Sequence, residues 1–246
     1  MEAFVRQTGF RLFTFTLLLG LSMLFSPTQL LSQTESGQIQ GAVVAPDGQP
    51  VPRASVTAQL QRSPGTAPFR AGAFTEANGS FVISDVPPGL YLVCVQVPGT
   101  TFLNPCTWSA APPSATVAAG QTASAGTIQL ETGYLVKARL NDSGRLLQTD
   151  EGRVAGARVQ VGVWTPNGFF LPLRVRTRNA VSRELELPVP FGTSVALSAR
   201  SGFYDLADEN NAQVDANQGA RIPIQASPDT PPRVHTFHLT GRRAAP

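Results

Sequence analysis

Residues 70–97 read RAGAFTEANGSFVISDVPPGLYLVCVQV, and this stretch predicts three consecutive β-strands. The pair Asn78-Gly79 separates the runs Arg70–Glu76 and Phe81–Asp85, and such a pair is a strong hairpin signal. The turn residues Pro87-Pro88-Gly89 then lead into a third run, Leu90–Val97. Three short strands joined by tight turns favour an antiparallel β-structure.

The same alternation of strands and turns continues on both sides of this stretch. Upstream, the runs Ile39–Ala45 and Ser55–Gln61 flank the turn pair Asp47-Gly48. Apolar and polar residues alternate in Ser55–Gln61, as in a half-buried strand. Downstream, Thr127–Leu130 closes the set. About seven short strands at this spacing predict an all-β sandwich.

The composition agrees with this class of fold. The 246 residues include 22 Gly and 21 Pro, which argues against long helices. Charged residues make up 14% of the chain, against roughly 25% in average soluble domains, which argues against a charged disordered chain. A net charge of +3 is too small to indicate a nucleic-acid partner.

The motifs of the first half resemble a known family. They are Gly41-x-Val43, Asp47-Gly48, Pro50-Val51-Pro52-x-Ala54-x-Val56, Thr75-x-x-Asn78-Gly79-x-Phe81-x-Ile83 and Val86-Pro87-Pro88-Gly89-x-Tyr91. Together they are similar to the carboxypeptidase regulatory-like domain. The resemblance implies a small transthyretin-like β-sandwich over residues 33–132. It also implies a non-catalytic accessory role, since no peptidase follows.

The second half repeats this pattern in weakened form. Ala54-x-Val56-x-Ala58 matches Ala157-x-Val159-x-Val161 at an offset of 103, and Val86 to Gly89 matches Val189 to Gly192 at the same offset. We therefore expect a second, degenerate sandwich over residues 133–246. The predicted architecture is all-β, with two tandem small antiparallel β-sandwiches.

The N-terminus predicts export. Arg6 and Arg11 precede an uncharged run from Leu12 to Phe25, which is shorter than the about 20 residues of a membrane span. This pattern is typical of a signal peptide over residues 1–32, and an uncleaved signal anchor is the alternative. The expected location is periplasmic, cell-surface or secreted, with no stable membrane span after cleavage.

Cys94 and Cys106 are the two cysteines of the chain. In an oxidising compartment, an even cysteine count favours a disulfide between them. The alternative is a pair of buried free thiols that pack as small hydrophobic groups.

The strand Leu90–Val97 raises a question of orientation. By correspondence with the second half, we expect Leu92 and Cys94 to face the core. Tyr91, Val93, Val95 and Val97 would then form an unusually apolar outer face. Either the cysteine-linked loop, with Phe102 and Trp108, covers that face or another domain or partner docks there.

The sequence offers no recognisable catalytic or metal constellation. His235 and His238 lie three apart on a predicted strand and point to opposite faces, so they form no metal pair. The acidic loop Tyr204–Asn211 is interpreted as a solvated loop, with calcium binding as the alternative. We therefore predict no catalytic residue, no metal and no cofactor.

The predicted function is that of an exported, non-catalytic structural or binding protein. Candidate binding residues are Trp108 and Trp164, with Phe169-Phe170, and the alternating Arg174, Arg176 and Arg178. This alternation would place three guanidinium groups on one strand face, suited either to an anionic partner or to a solvated edge. The partner would be an envelope protein or a polysaccharide. The alternatives are a carbohydrate- or peptide-binding module and an enzyme with an unrecognised site.

Overall fold

The chain folds almost entirely into β-strands. A computed structural model describes residues 35–61, 67–215 and 219–243, and the predicted signal segment 1–32 lies outside them. No helix within these described ranges is long and apolar enough to cross a membrane. The described residues from Glu35 onward belong to one compact unit.

The described residues of the first half form seven strands and one short helix. They are β1 (Gly37–Val44), β2 (Ser55–Leu60), β3 (Arg70–Phe74), β4 (Ser80–Val86), β5 (Gly89–Gln96), α1 (Pro105–Trp108), β6 (Ser114–Val117) and β7 (Thr122–Gln129). One sheet has the order β4-β1-β7 and the other β3-β2-β5-β6. Pairing is antiparallel except between β1 and β7, which run parallel.

In the second half, the described part of the chain forms nine strands and one short helix. They are β8 (Gly133–Asn141), α2 (Leu146–Asp150), β9 (Gln160–Trp164), β10 (Phe170–Pro172), β11 (Arg174–Arg178), β12 (Ser182–Pro190), β13 (Ser194–Arg200), β14 (Tyr204–Ala207), β15 (Ile222–Gln225) and β16 (Val234–Arg242). Its sheets have the orders β11-β12-β8-β16-β14 and β10-β9-β13-β15.

The second half repeats the topology of the first. β12-β8-β16 corresponds to β4-β1-β7, including the parallel pair, and β10-β9-β13-β15 corresponds to β3-β2-β5-β6. Two edge strands, β11 and β14, are added to one sheet of the second half. The chain is therefore two tandem β-sandwiches, while the domain boundary at residues 132 and 133 stays a prediction.

Each sandwich has its own apolar core. The largest fully buried side chains of the first core include Ile39, Phe81 and Tyr91, and those of the second include Tyr204 and Phe237. These side chains alternate with outward-facing residues along their strands, as the period-two pattern requires.

The turns of the first sandwich are set by two residues of its motifs. Gly79 has a φ of +78°, and a Cβ there would lie 2.5 Å from the carbonyl oxygen of Val43, so the hairpin requires glycine. The buried Thr75 hydroxyl donates to Val51 O at 2.6 Å and accepts from Ala54 N at 2.8 Å. It thereby ties the segment before β2 to the β3–β4 hairpin.

The orientation predicted for β5 is wrong. Tyr91, Val93 and Val95 belong to the first core, and Leu92 does not. After the turn at Gly89 the two halves correspond at an offset of 104, so that Tyr91 matches Val195. A shift of one residue moves every side chain of a strand to the other face, which is why an offset of 103 gave the opposite result.

Candidate functional site

A disulfide bond joins Cys94 on β5 to Cys106 in α1, as predicted, and closes a loop on the outer face of the first sandwich. We call residues 97–108 the disulfide loop. Within it, the Asn104 side chain accepts a hydrogen bond from Cys106 N at 2.9 Å, and Pro105 occupies the start of the helix. These features give α1 a defined start next to the covalent crosslink.

The disulfide loop contacts the second sandwich. Gly99 N donates to Glu186 Oε1 at 2.7 Å, and the Trp108 indole donates to Pro188 O at 3.1 Å. The Trp108 ring also packs against the core of the second sandwich. The disulfide loop therefore makes an interdomain contact. Neither arrangement considered from sequence applies, because Tyr91, Val93 and Val95 lie in the first core and form no outer face that needs a cover.

A cleft of about 270 Å³ lies between the disulfide loop and strands β11 and β12. This volume is near the lower limit of ligand pockets, roughly 300 Å³. The apolar lining consists of Val97, Pro98, Phe102, Trp108, Val175, Leu187 and Pro188. Polar side chains also line it, namely Gln96, Thr100, Asn104 and Thr107. We call this space the junction cleft.

Charged residues line one side of the junction cleft. Arg174 and Arg176 both face it, together with Glu186, whose side chain is 9% exposed. Glu186 already accepts from Gly99 N, and its second oxygen lies 3.5 Å from Arg176 Nη1. Burial lowers the pKa of Arg174, and the nearby positive charge of Arg70 lowers it further. Both arginines are exposed residues of β11, so the site has a cationic rim beside the buried carboxylate of Glu186.

Arg178 does not join the other two arginines. A register shift between Val175 and Thr177 interrupts the alternation of β11. Arg178 pairs across the strands with Arg183, and both arginines bind Glu151, at 3.1 and 2.6 Å. The prediction of three guanidinium groups on one face is therefore wrong, because the bulge turns the end of the strand over.

Trp164 lies in a different place, on the outer face of the sheet β10-β9-β13-β15. Its ring centroid is 5.1 Å from that of Phe170. The Arg200 guanidinium lies 4.7 Å from the Phe170 ring and 5.5 Å from the Trp164 ring, and Arg221 lies 5.6 Å from Trp164. These cation–π contacts occupy the aromatic faces, and Phe169 beside them is 68% exposed.

The segment Tyr204–Asn211, interpreted from sequence as a solvated loop, begins with strand β14, in which Tyr204 and Leu206 are buried, and only its second half is a loop. Asp208 Oδ1 accepts from the backbone N–H groups of Asn210 and Ala212, both at 2.9 Å, and Glu209 binds Arg233 at 2.9 Å. Within the described ranges, no group of three His, Cys, Asp or Glu residues could hold a metal ion.

Sequence reasoning missed Glu186, Gly99 and Arg70. Glu186 belongs to an alternating strand, where an outward carboxylate is ordinary and carries no signal of its own. Its contact with Gly99 joins residues 87 positions apart, which no local pattern reveals.

Comparison with known families agrees with the motifs of the first sandwich. Residues 38–131 match the family model of the carboxypeptidase regulatory-like domain. Residues 38–131 form a carboxypeptidase regulatory-like domain. The match covers β1 to β7 and the whole disulfide loop, so the cleft lies where the regulatory-like domain meets the second sandwich.

Comparison with solved structures finds distant likenesses. The Bacillus anthracis TIE protein is 11% identical, with a TM-score of 0.32, 83% of this chain covered and 34% of that one. A streptococcal ancillary pilin is 12% identical, with a TM-score of 0.36 and coverage of 85% and 64%. A DUF3823 family protein from Bacteroides uniformis is 12% identical, with a TM-score of 0.28 and coverage of 86% and 100%.

The chain thus spans about a third of the first of these proteins and just under two thirds of the second. A search of curated protein sequences found no match. A shared fold does not specify a function, so the function of this protein depends on the residues of the site itself.

Proposed function

We propose that this protein is an exported, non-catalytic binding protein that holds a polysaccharide in the junction cleft. The observation that carries the proposal is the cleft between the disulfide loop and β11–β12, which combines aromatic, amide, hydroxyl and guanidinium groups. Pockets with a mostly apolar lining and a few convergent polar groups are the usual binding sites of proteins.

The lining favours sugar rings. Trp108 and Phe102 supply apolar ring surfaces, while Gln96, Asn104 and Thr100 supply donors and acceptors for hydroxyl groups. A cleft of about 270 Å³ is small for a whole polymer, so it would take one unit of a longer chain.

A peptide ligand is less well supported. β11 is the outer strand of its sheet, and an extended peptide could in principle add to such an edge. The bulge between Val175 and Thr177 interrupts the regular edge, and charged side chains project from the strand. Both features are devices that prevent strand addition.

The contacts of the disulfide loop support a preorganised cleft. The crosslink to Cys94 and the bonds from Gly99 and Trp108 hold both walls before any ligand arrives. Because the walls of the cleft are already ordered, binding does not lose free energy in ordering them. The disulfide is also consistent with an oxidising compartment and hence with export.

The binding experiment uses affinity electrophoresis of the full mature chain in gels that contain mixed-linkage β-glucan, methyl-esterified pectin or polygalacturonate. We expect at least one polysaccharide to retard the protein. The variant Val175→Trp fills the cleft from a residue that is 52% exposed, and it should lose that retardation. Val154→Trp, at a residue 42% exposed outside the cleft, is the matched control and should behave like wild type.

Equal mobility in all gels, or retardation that Val175→Trp leaves unchanged, would overturn the assignment of the cleft. Retardation lost equally in the Val154→Trp control would also overturn it. Export has a separate test, since cleavage of residues 1–32 is read from the intact mass of the protein recovered from its native host. A mass that still includes Met1 would contradict the signal peptide.

A further inference from the structure

Two arginines of β11 line the junction cleft, and of these two only Arg176 lies within ion-pair distance of a carboxylate among the described residues. Arg174 makes no ion pair among the described residues, although it is the cross-strand neighbour of Glu186. Arg176 reaches Glu186 at 3.5 Å, which is too long for a direct hydrogen bond of ordinary strength. Apart from this contact of Arg176 Nη1, neither guanidinium group has a hydrogen bond or ion pair within the described part of the chain, so the other N–H donors remain available on this wall.

The carboxylate of Glu186 is already engaged elsewhere. Its Oε1 accepts from Gly99 N at 2.7 Å, and the residue is 8% exposed. Because Glu186 holds the disulfide loop in place, it cannot turn toward Arg174 without breaking that contact. The site therefore contains one buried carboxylate and two guanidinium groups, which leaves an excess of positive charge.

A third positive charge adds to this excess. Arg70 begins β3, the edge strand of the facing sheet in the regulatory-like domain, and it makes no ion pair among the described residues. Burial lowers the pKa of Arg174, and the charge of Arg70 lowers it further. A cationic site of this kind is stabilised when an anion enters it.

We infer that Arg174 and Arg176 bind a carboxylate group of the polysaccharide, so that the ligand is an acidic polymer built from uronic acids. This inference rests on the proposed function. A guanidinium group presents N–H donors in a planar fork that matches the two oxygens of a carboxylate. Arg70, on the first sandwich, attracts the carboxylate from a longer distance. Positively charged residues of both sandwiches therefore contribute to the site.

The experiment compares two polymers that share a backbone and differ in whether its carboxyl groups are charged or esterified. Polygalacturonate carries free carboxylates, and its methyl-esterified form carries neutral esters. We expect wild type to bind polygalacturonate at least about tenfold more tightly, as charged hydrogen bonds allow, and this preference should shrink as salt screens the charges.

Substitutions of single arginines distinguish binding at this site from attraction to the overall positive charge of the protein. Arg174→Gln should remove most of the preference for polygalacturonate, and Arg70→Gln should reduce it by a smaller factor. Arg178→Gln is the matched control, because it lies on the same strand but pairs with Glu151 on the other face. It should retain the wild-type preference.

Equal binding of the two polymers, with retardation still lost in Val175→Trp, would overturn this inference and leave the proposed function standing. An equal loss in Arg178→Gln and Arg174→Gln would also overturn it, since the attraction would then be diffuse. Tighter binding of dextran sulfate than of polygalacturonate would show that the carboxylate assignment is wrong. Failure of every polymer to bind would overturn the proposed function as well.

Discussion

Gly99 N donates a 2.7 Å hydrogen bond to Glu186 Oε1, and this contact links the disulfide loop of the regulatory-like domain to β12 of the second sandwich. Glu186 is buried, and its second oxygen faces Arg176. The loop and the second sandwich are therefore held together by a charged acceptor that is largely withdrawn from water.

Removal of this acceptor should destabilise the protein. Glu186→Ala leaves Gly99 N without its partner, and a hydrogen bond to a charged group contributes about 2 kcal/mol. We expect the free energy of unfolding, measured in urea, to fall by about this amount. Glu184→Ala is the control, because its ion pair with Arg139 is exposed and should matter by less than about 1 kcal/mol. Equal effects of the two substitutions would contradict the structural role of Glu186.

The disulfide should stabilise the chain by restricting its unfolded state. Cys94 and Cys106 are 12 residues apart, and closing a loop of this size contributes about 3 kcal/mol in the chain-entropy model. The double variant Cys94→Ser/Cys106→Ser should therefore unfold at lower urea concentration. Dithiothreitol should shift wild type in the same direction and leave the double variant unchanged. A shift of the double variant by dithiothreitol would show that the reagent acts elsewhere.

Gly133 should not tolerate a side chain. A Cβ at this position would overlap the carbonyl oxygen of Val189 and would lie 2.7 Å from Leu103 Cδ2 in the disulfide loop. Because Val189 belongs to a paired strand, Gly133→Ala should cost about 1–3 kcal/mol of unfolding free energy. At Gly144 the nearest atom would be Leu146 Cγ at 3.6 Å, so Gly144→Ala should change stability by less than about 0.5 kcal/mol. Thermal unfolding of both variants checks the difference.

His235 should make stability depend on pH. Burial lowers the pKa of His235 below its usual 6.5, with Arg233 acting in the same direction and Glu209 in the opposite one. The unfolded chain then binds the proton more tightly than the folded protein does. Stability should therefore be full above the ordinary pKa and fall as pH drops below it, until the folded pKa is passed.

Urea unfolding at about pH 7.5 and about pH 5.5 measures this loss. His235→Gln should reduce the difference between the two conditions, while His238→Gln, on the opposite face of β16, should keep it. A wild-type protein that is more stable at the lower pH would contradict the assigned direction.

Local sequence patterns predicted most of the first sandwich. Asn78-Gly79, Asp47-Gly48 and Pro87-Pro88-Gly89 mark turns that the structure contains, and the alternating runs between them form strands. The pairing of Cys94 with Cys106 followed from the even cysteine count. These features depend on backbone preferences and nearest neighbours, which a single stretch of chain carries in full.

Local patterns did not predict correctly which face of a strand some side chains occupy. The face of Tyr91 was predicted wrongly because one extra residue after the turn of the second half changed the correspondence. Arg178 was placed beside Arg174 because a bulge in β11 has no mark in its alternating sequence. In a period-two pattern, a single inserted residue reverses every later side chain.

The sequence by itself determined the class of fold, the regulatory-like domain with its turns and the disulfide. Only the tertiary structure decided that the disulfide loop meets the second sandwich, and that Trp108, Arg174 and Arg176 line one cleft. The reason is that this cleft depends on contacts between distant positions, such as Gly99 with Glu186 and Trp108 with Pro188. Such contacts form only when the two sandwiches pack together. The alternation of apolar and polar residues in each sandwich specifies its own strands and core, and it carries no information about the surface of the other sandwich.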